Sequence, residues 1–353
     1  MRDDRRMNKT GVEQTLGLLR DWLESEAQSA RHPHNVASLP DLPTHGRWLD
    51  AEGLLPVLAG LATGLRLREP DRDHDPLPDP AWRAQRLNCV GRSLRLKIAG
   101  AAVRDALDAW GGPWAFIKGF ALARSVYEYP WMRLAADIDL LVRPQDLDAA
   151  VAALRAAGAR PIAGSVQGHE RALTVRGVEI DLHNAPMSKG RLRHNPAERW
   201  LGRRCRIDGY PCLSAHDELL LSLIHPAVTE YLAARLVRML DIALQVRRSR
   251  EPVDWPRLAD DARRLGLANA AFATAIRVNH LFSSGPDALI PLSFMNALRV
   301  DPLRRRYWRF WLDRQPDQLF RRSPLRAGLL FGLWLNDSPR DLLRALDYKR
   351  RHW

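Results

Sequence analysis

Three carboxylates at strand-like spacing, Asp137, Asp139 and Asp181, are the residues of this chain that point most directly to chemistry. The run Arg133-Leu-Ala-Ala-Asp137-Ile138-Asp139-Leu140-Leu141-Val142 alternates acid and apolar side chains. Successive side chains on a strand point to opposite faces, so Asp137 and Asp139 share one face while Ile138 and Leu140 turn to a core. Two carboxylates this close repel unless a cation lies between them. Mg²⁺ or Mn²⁺ suits such a pair, because hard cations seek oxygen and bind one or two carboxylates together with substrate phosphates. Glu179-Ile180-Asp181-Leu182-His183 repeats the alternation and supplies the third acid, Asp181, close to a strand end. Three carboxylates suffice for two ions roughly 4 Å apart, one activating an attacking oxygen and the other holding a triphosphate and its departing pyrophosphate. An acidic strand facing solvent shows the same alternation, so the spacing alone leaves both readings open.

These acids must be positioned by a sheet, and the flanking sequence supplies one. Trp114-Ala-Phe-Ile117 reads as a short buried strand, followed by Lys118-Gly119 and a helix to Tyr127. A glycine where a strand enters a helix lets backbone N–H groups approach phosphate, and Lys118 could pair with the same anion. Ile138–Val142 is a second strand. Pro144, Leu147, Val151, Leu154 and Gly158 outline the next helix. Arg171–Arg176 and Val178–His183 form two strands joined tightly at Gly177. Strands and helices in this order predict a small sheet with helices on one face.

Helical patterns surround this segment. Residues 1–10 are polar and read as a disordered tail. Val12–Glu26 reads as an amphipathic helix, 31–45 as a loop, and Leu49–Leu65 as a second helix. Residues 68–80 read as a linker, and a long helix covers Pro80–Trp110 before Gly111-Gly112-Pro113 stops it. Beyond Leu213, Ser214 with Asp217 and Glu218 caps a helix to Ile224, and another covers Thr229–Arg248. The expected fold is therefore α+β: a helical region at 11–111, an α/β core at 112–213 and a helical region at 214–353.

Composition narrows the function classes. The chain has 46% hydrophobic residues and no apolar run near the ~20 residues that span a bilayer. No apolar segment follows the basic N-terminus, and the three cysteines lack metal or framework spacing, so a cytoplasmic protein is expected. The net charge of +13 fits a nucleic-acid or phosphate-rich partner. Only five of the 54 basic residues are lysines, however, and arginine richness also follows genome base composition. No basic stripe accompanies 112–212, so nucleic acid is not the expected partner.

Lys118-Gly119-Phe-Ala-Leu-Ala, then Arg133, then Asp137-Ile-Asp-Leu-Leu-Val-Arg-Pro, then Val178-Glu-Ile-Asp181-Leu-His183 resembles the uncharacterised bacterial nucleotidyltransferase family of the polymerase-beta-like superfamily. Trp48-Leu-Asp-Ala-Glu-Gly-Leu-Leu-Pro resembles its helical N-terminal part. His225, Arg235-Leu-Val-Arg-Met-Leu-Asp241 and Asp254-Trp255 resemble its C-terminal part. The resemblance implies a nucleotidyltransferase-type mixed sheet. It assigns Asp137 and Asp139 to metal, and Asp181 to metal and to activation of an acceptor hydroxyl. Gly119 is assigned to the nucleotide phosphates, with Lys118 and Arg133 beside them. Phe120 departs from the superfamily's Gly-Gly or Gly-Ser pair. The implied reaction moves a nucleoside monophosphate, with ATP the expected donor, to a hydroxyl of a small molecule, peptide or protein. A catalytically weak nucleotide-binding module and a nucleic-acid end-modifying transferase are the alternatives. For Arg133 a salt bridge competes with phosphate. For His183, His225, Arg235 and Asp241 ordinary polar packing competes with a place in the cleft. The tryptophans of 305–335 read as core or dimer surface.

Overall fold

The computed structural model describes residues 9–27, 39–64, 80–167, 170–187, 189–230, 235–283, 288–312, 330–332 and 334–352. Residues 1–8 and 31–38 lie outside them, as does the linker expected at 68–80 except Pro80, which starts a helix; Lys9 and Thr10 of the expected tail are helical too. Four helices come first: α1 (Lys9–Ala27), α2 (Leu42–Ala51), α3 (Leu55–Gly64) and α4 (Pro80–Trp110). The single helix expected over 49–65 is two. Gly53 takes φ +71°, which ends α2, and Pro56 sits in the first turn of α3, where a proline's missing N–H costs nothing. The loop expected to reach residue 45 stops at Asp41. Its carboxylate accepts from the Thr44 N–H at 3.0 Å and starts α2.

The middle of the chain builds β1 (Trp114–Ile117), α5 (Lys118–Ser125), β2 (Ile138–Val142), α6 (Leu147–Ala156), β3 (Arg160–Gln167), β4 (Glu170–Val175) and β5 (Val178–His183). Then come α7 (Ala197–Gly202), β6 (Cys205–Ile207) and β7 (Tyr210–Cys212). These strands form one mixed sheet in the order β3-β4-β5-β2-β1-β7-β6. β1 runs antiparallel to β2, whereas β2 pairs with β5 in parallel. The β4–β5 turn uses Arg176 at φ 52° and Gly177 at φ 75°, the left-handed pair of a two-residue hairpin.

Helices cover both faces of the sheet, not one. Trp114, Phe116, Ile138, Leu140, Val142, Ile180 and Leu182 pack on one side with Val103 and Leu107 of α4 and Leu147 and Leu154 of α6. Ala115, Ile117 and Leu141 turn the other way and join a larger core. That core includes α7 and the C-terminal helices α8 (Ala215–Glu230), α9 (Leu236–Arg247), α10 (Trp255–Leu265) and α11 (Ala268–Phe282). The central strands are the physical cause: β1 and β2 are buried at every position, and a sheet buried on both faces needs two covers. Helix α8 runs past Ile224 and through Pro226, whose buried neighbours Leu223, Ile224, Ala227 and Val228 hold the turn together. Further described helices follow: α12 (Leu292–Ala297), α13 (Pro302–Leu312) and α14 (Pro339–His352). Trp308 of α13 and Phe331 are fully buried in the core, and Tyr307, stacked on Trp334 at 4.7 Å, packs against it partly buried.

Candidate active site

Strand pairing brings the acids together. Parallel register sets Asp139 of β2 directly beside Asp181 of β5, and antiparallel register sets Ile117 of β1 on its other flank. Ile138, Leu140, Ile180 and Leu182 anchor the strands in the core below, so both carboxylates stand on the opposite face. His183 lies two residues beyond Asp181 and shares that face. One ligand atom each from Asp139, Asp181 and His183 falls within 4.8 Å of the others. Asp137 lies just before β2, half-buried and outside that group. Burial raises its pKa first, and the negative charge of Asp139 raises it further.

Asp139 is the hub. Lys118 Nζ donates to its Oδ1 at 2.7 Å, and His183 Nε2 lies 2.8 Å from the same oxygen. Burial alone would raise the Asp139 pKa, but the Lys118 ammonium and the His183 ring hold it well below the usual carboxylate range. Asp181 behaves oppositely. Burial pushes it up to about 7, and Glu170, Asp139, Asp137 and Glu179 add repulsion. Its Oδ1 is buried with no hydrogen-bond partner among the described residues.

The strand-to-helix turn supplies the remaining parts. Lys118 takes φ 56°, left-handed backbone that is unusual for a residue with a side chain. Its N–H donates to Glu218 Oε1 of α8 at 2.9 Å. Gly119 packs so closely that an added Cβ would lie 3.0 Å from Ala135 Cβ. Phe120 turns away from the acids into the other core, stacked on Phe116 at 4.5 Å with the Arg124 guanidinium over its ring. The departure from a small residue at that position therefore puts no bulk on the face that carries Asp139 and Asp181.

Arg133 is engaged elsewhere. Its Nε and Nη2 donate to both oxygens of Asp241 at 2.9–3.0 Å, and its Nη1 donates to Leu134 O. The Tyr127 hydroxyl donates to Asp241 Oδ1 at 2.7 Å. Burial opposes the Arg133 charge, but Asp241 more than restores it and raises the pKa. The salt bridge weighed for Arg133 is thus made with an acid of α9 rather than with Asp137 or Asp139. Lys118, Gly119, Arg133, His225, Arg238 and Asp241 line a cleft of about 30 Å³ beside this turn. Burial, with Lys118 and Arg238 nearby, drives the His225 pKa well below its ordinary value, leaving a neutral ring. Arg235 sits at the N-cap of α9.

Glu218 escaped the sequence reading. It scanned as a helix-capping acid beside Asp217, and only Asp217 does that work, bonded to Ser214 and Arg203. Nothing in the sequence relates Glu218 to Lys118, 100 positions away. His183, weighed between the cleft and ordinary polar packing, lies with its Nε2 2.8 Å from Asp139 Oδ1.

A mixed sheet that sets Asp139 beside Asp181 near a lysine-glycine turn defines an α+β protein in which Asp139, Asp181 and His183 could hold a metal ion. The chain belongs to the family described as uncharacterised nucleotidyltransferase, which it matches over residues 46–283. Among solved structures it is similar to JHP933 from Helicobacter pylori, at 10% identity and a TM-score of 0.30, covering 66% of this chain and 96% of that one. No curated protein matches it. Among the described residues, no helix is long and apolar enough to cross a membrane.

Proposed function

We propose that this protein transfers a nucleoside monophosphate, AMP from ATP, to a hydroxyl on a small-molecule, peptide or protein acceptor and releases pyrophosphate. The observation that carries the reading is the in-register pair Asp139–Asp181, with Asp181 Oδ1 buried and lacking a hydrogen-bond partner among the described residues. A cation fits this arrangement. The oxygen donors suit Mg²⁺ or Mn²⁺, and a buried unpaired carboxylate oxygen is costly until something positive meets it. Asp139 and Asp181 would hold the ion, with Asp137 completing the oxygen set when two ions are present. Bound there, divalent cations supply charge neutralisation for the triphosphate and lower the pKa of the acceptor hydroxyl.

The residues of the chain do the rest. Gly119 lies in the first turn of α5, where backbone N–H groups favour an anion. Lys118 brings an ammonium to the same place and can turn from Asp139 to a phosphate oxygen. His183 orients Asp139 through its Nε2 contact. Asp181, through the carboxylate oxygen that does not hold the ion, would take the acceptor proton as the hydroxyl attacks the α-phosphorus.

The test follows the label. ATP carrying ³²P at the α-phosphate is incubated with Mg²⁺ and a panel of sugars, peptides and cell proteins. Label joined to one acceptor, with stoichiometric pyrophosphate, is the expected result. Transfer from γ-labelled ATP instead would make the protein a phosphotransferase and end the proposal.

A further inference from the structure

A buried acid from outside the sheet touches the lysine of the site. Glu218 lies in the first turn of α8, 6% exposed, and reaches across to accept the Lys118 N–H at 2.9 Å. Its second oxygen, Oε2, is buried with no hydrogen-bond partner among the described residues. Asp217 and Ser214 already cap α8, so Glu218 is not needed there.

The recipient of this bond is under strain. Left-handed backbone is costly for a side-chain-bearing residue and persists only where its surroundings enforce it. Lys118, at φ 56°, is tied at both ends: its N–H to Glu218, its ammonium to Asp139 at 2.7 Å. No side chain of the N-cap residue Ile117 contributes a hydrogen bond to α5. A glutamate from a distant helix therefore takes the place of a local cap, and it does so at the residue whose direction decides where the ammonium points.

We propose that Glu218 is a positioning residue of the transfer site, fixing the Lys118 backbone in the left-handed conformation that delivers the Lys118 ammonium to the Asp139 face. This rests on the reading of Asp139 as part of a nucleotide site. Glu218 holds the geometry through an acceptor oxygen rather than through charge, so glutamine replaces it and an apolar side chain of similar size does not.

The full-length protein is compared with Glu218→Gln and Glu218→Leu. Two readouts are taken: Mg²⁺-dependent ATP binding by calorimetry, and hydrogen exchange of the Lys118 amide by NMR. Glu218→Gln keeps wild-type affinity and a protected Lys118 amide. Glu218→Leu weakens ATP binding by about tenfold or more, the range for losing an outer partner that orients a site residue, and exposes the amide to exchange. If Glu218→Leu does not fold, Glu218→Gln decides: a tenfold loss there overturns the proposal, and retained affinity with a protected amide supports it. A folded Glu218→Leu protein with wild-type affinity and a protected amide also overturns it. If the wild type binds no ATP, the transfer reading fails instead, and Lys118 exchange in the two variants still decides the role of Glu218.

Discussion

Asp139 holds Lys118 Nζ and His183 Nε2 at one oxygen, and this makes Lys118 both a partner and a competitor of any metal. Lys118→Met frees that oxygen. The expected outcome is a split: Mn²⁺ affinity without nucleotide rises by a factor on the order of ten, while ATP affinity falls. Calorimetry of the two titrations checks it, and a fall in both would show that Lys118 only maintains structure. Glu218 yields a second prediction. Burial first, then Asp139 and Asp241, raises its pKa from 4.5 to about 8, against the pull of Lys118. Between those values the folded state holds a proton that the unfolded chain has released, so stability falls as pH rises through the window. Glu218→Gln removes this slope. Thermal melts at about pH 5 and about pH 8.5 should show wild type losing a few kcal/mol more than the variant. Parallel pH profiles would contradict the burial argument. That Asp139 and Asp181 turn away from the core of Ile138, Leu140, Ile180 and Leu182 was legible, because a two-residue period needs only local sequence. Glu218 was not, because its partner is set by how α8 crosses α5.

At the scale of elements, the site depends on α5 leaving β1 at a fixed angle, and α4 sets that angle from behind. An added Cβ at Gly100 of α4 would meet Phe120 Cζ at 2.3 Å. Gly100→Ala should therefore overpack the α4–α5 contact and cost about 1–3 kcal/mol, read as a lowered Tm. An unchanged Tm would mean that Phe120 has room to move, and that α5 is not braced as described. The bounds of α4, β1, β2 and β5 could be read from periodicity and stop signals. The hairpin β6–β7 was missed, although Asp208 at φ 50° and Gly209 at φ 79° form the Asp-Gly turn that signals it. Strand β3 was missed because Pro161 argues against a strand, and a sheet edge is where a strand tolerates proline. The helices on the second face could not be assigned from sequence, since an apolar helix stripe does not name the sheet it will cover.

Across the whole molecule, one buried ion pair ties the C-terminal helices to the segment that leads into β2. Asp241 of α9 receives Arg133 and Tyr127 together. Asp241→Asn leaves the Arg133 guanidinium buried without its counter-charge, and a loss of about 3–5 kcal/mol is expected in denaturant unfolding. A loss below about 1 kcal/mol would mean that water reaches Arg133 and the two parts are joined by packing alone. The central claim is that Asp139 and Asp181 form a cation site for a nucleoside triphosphate. Its most direct test is calorimetric titration of ATP into the wild type and into Asp139→Asn, with and without Mg²⁺. The account predicts binding that requires Mg²⁺ in the wild type and is absent in the variant. Equal binding by both proteins, or binding indifferent to Mg²⁺, would contradict it.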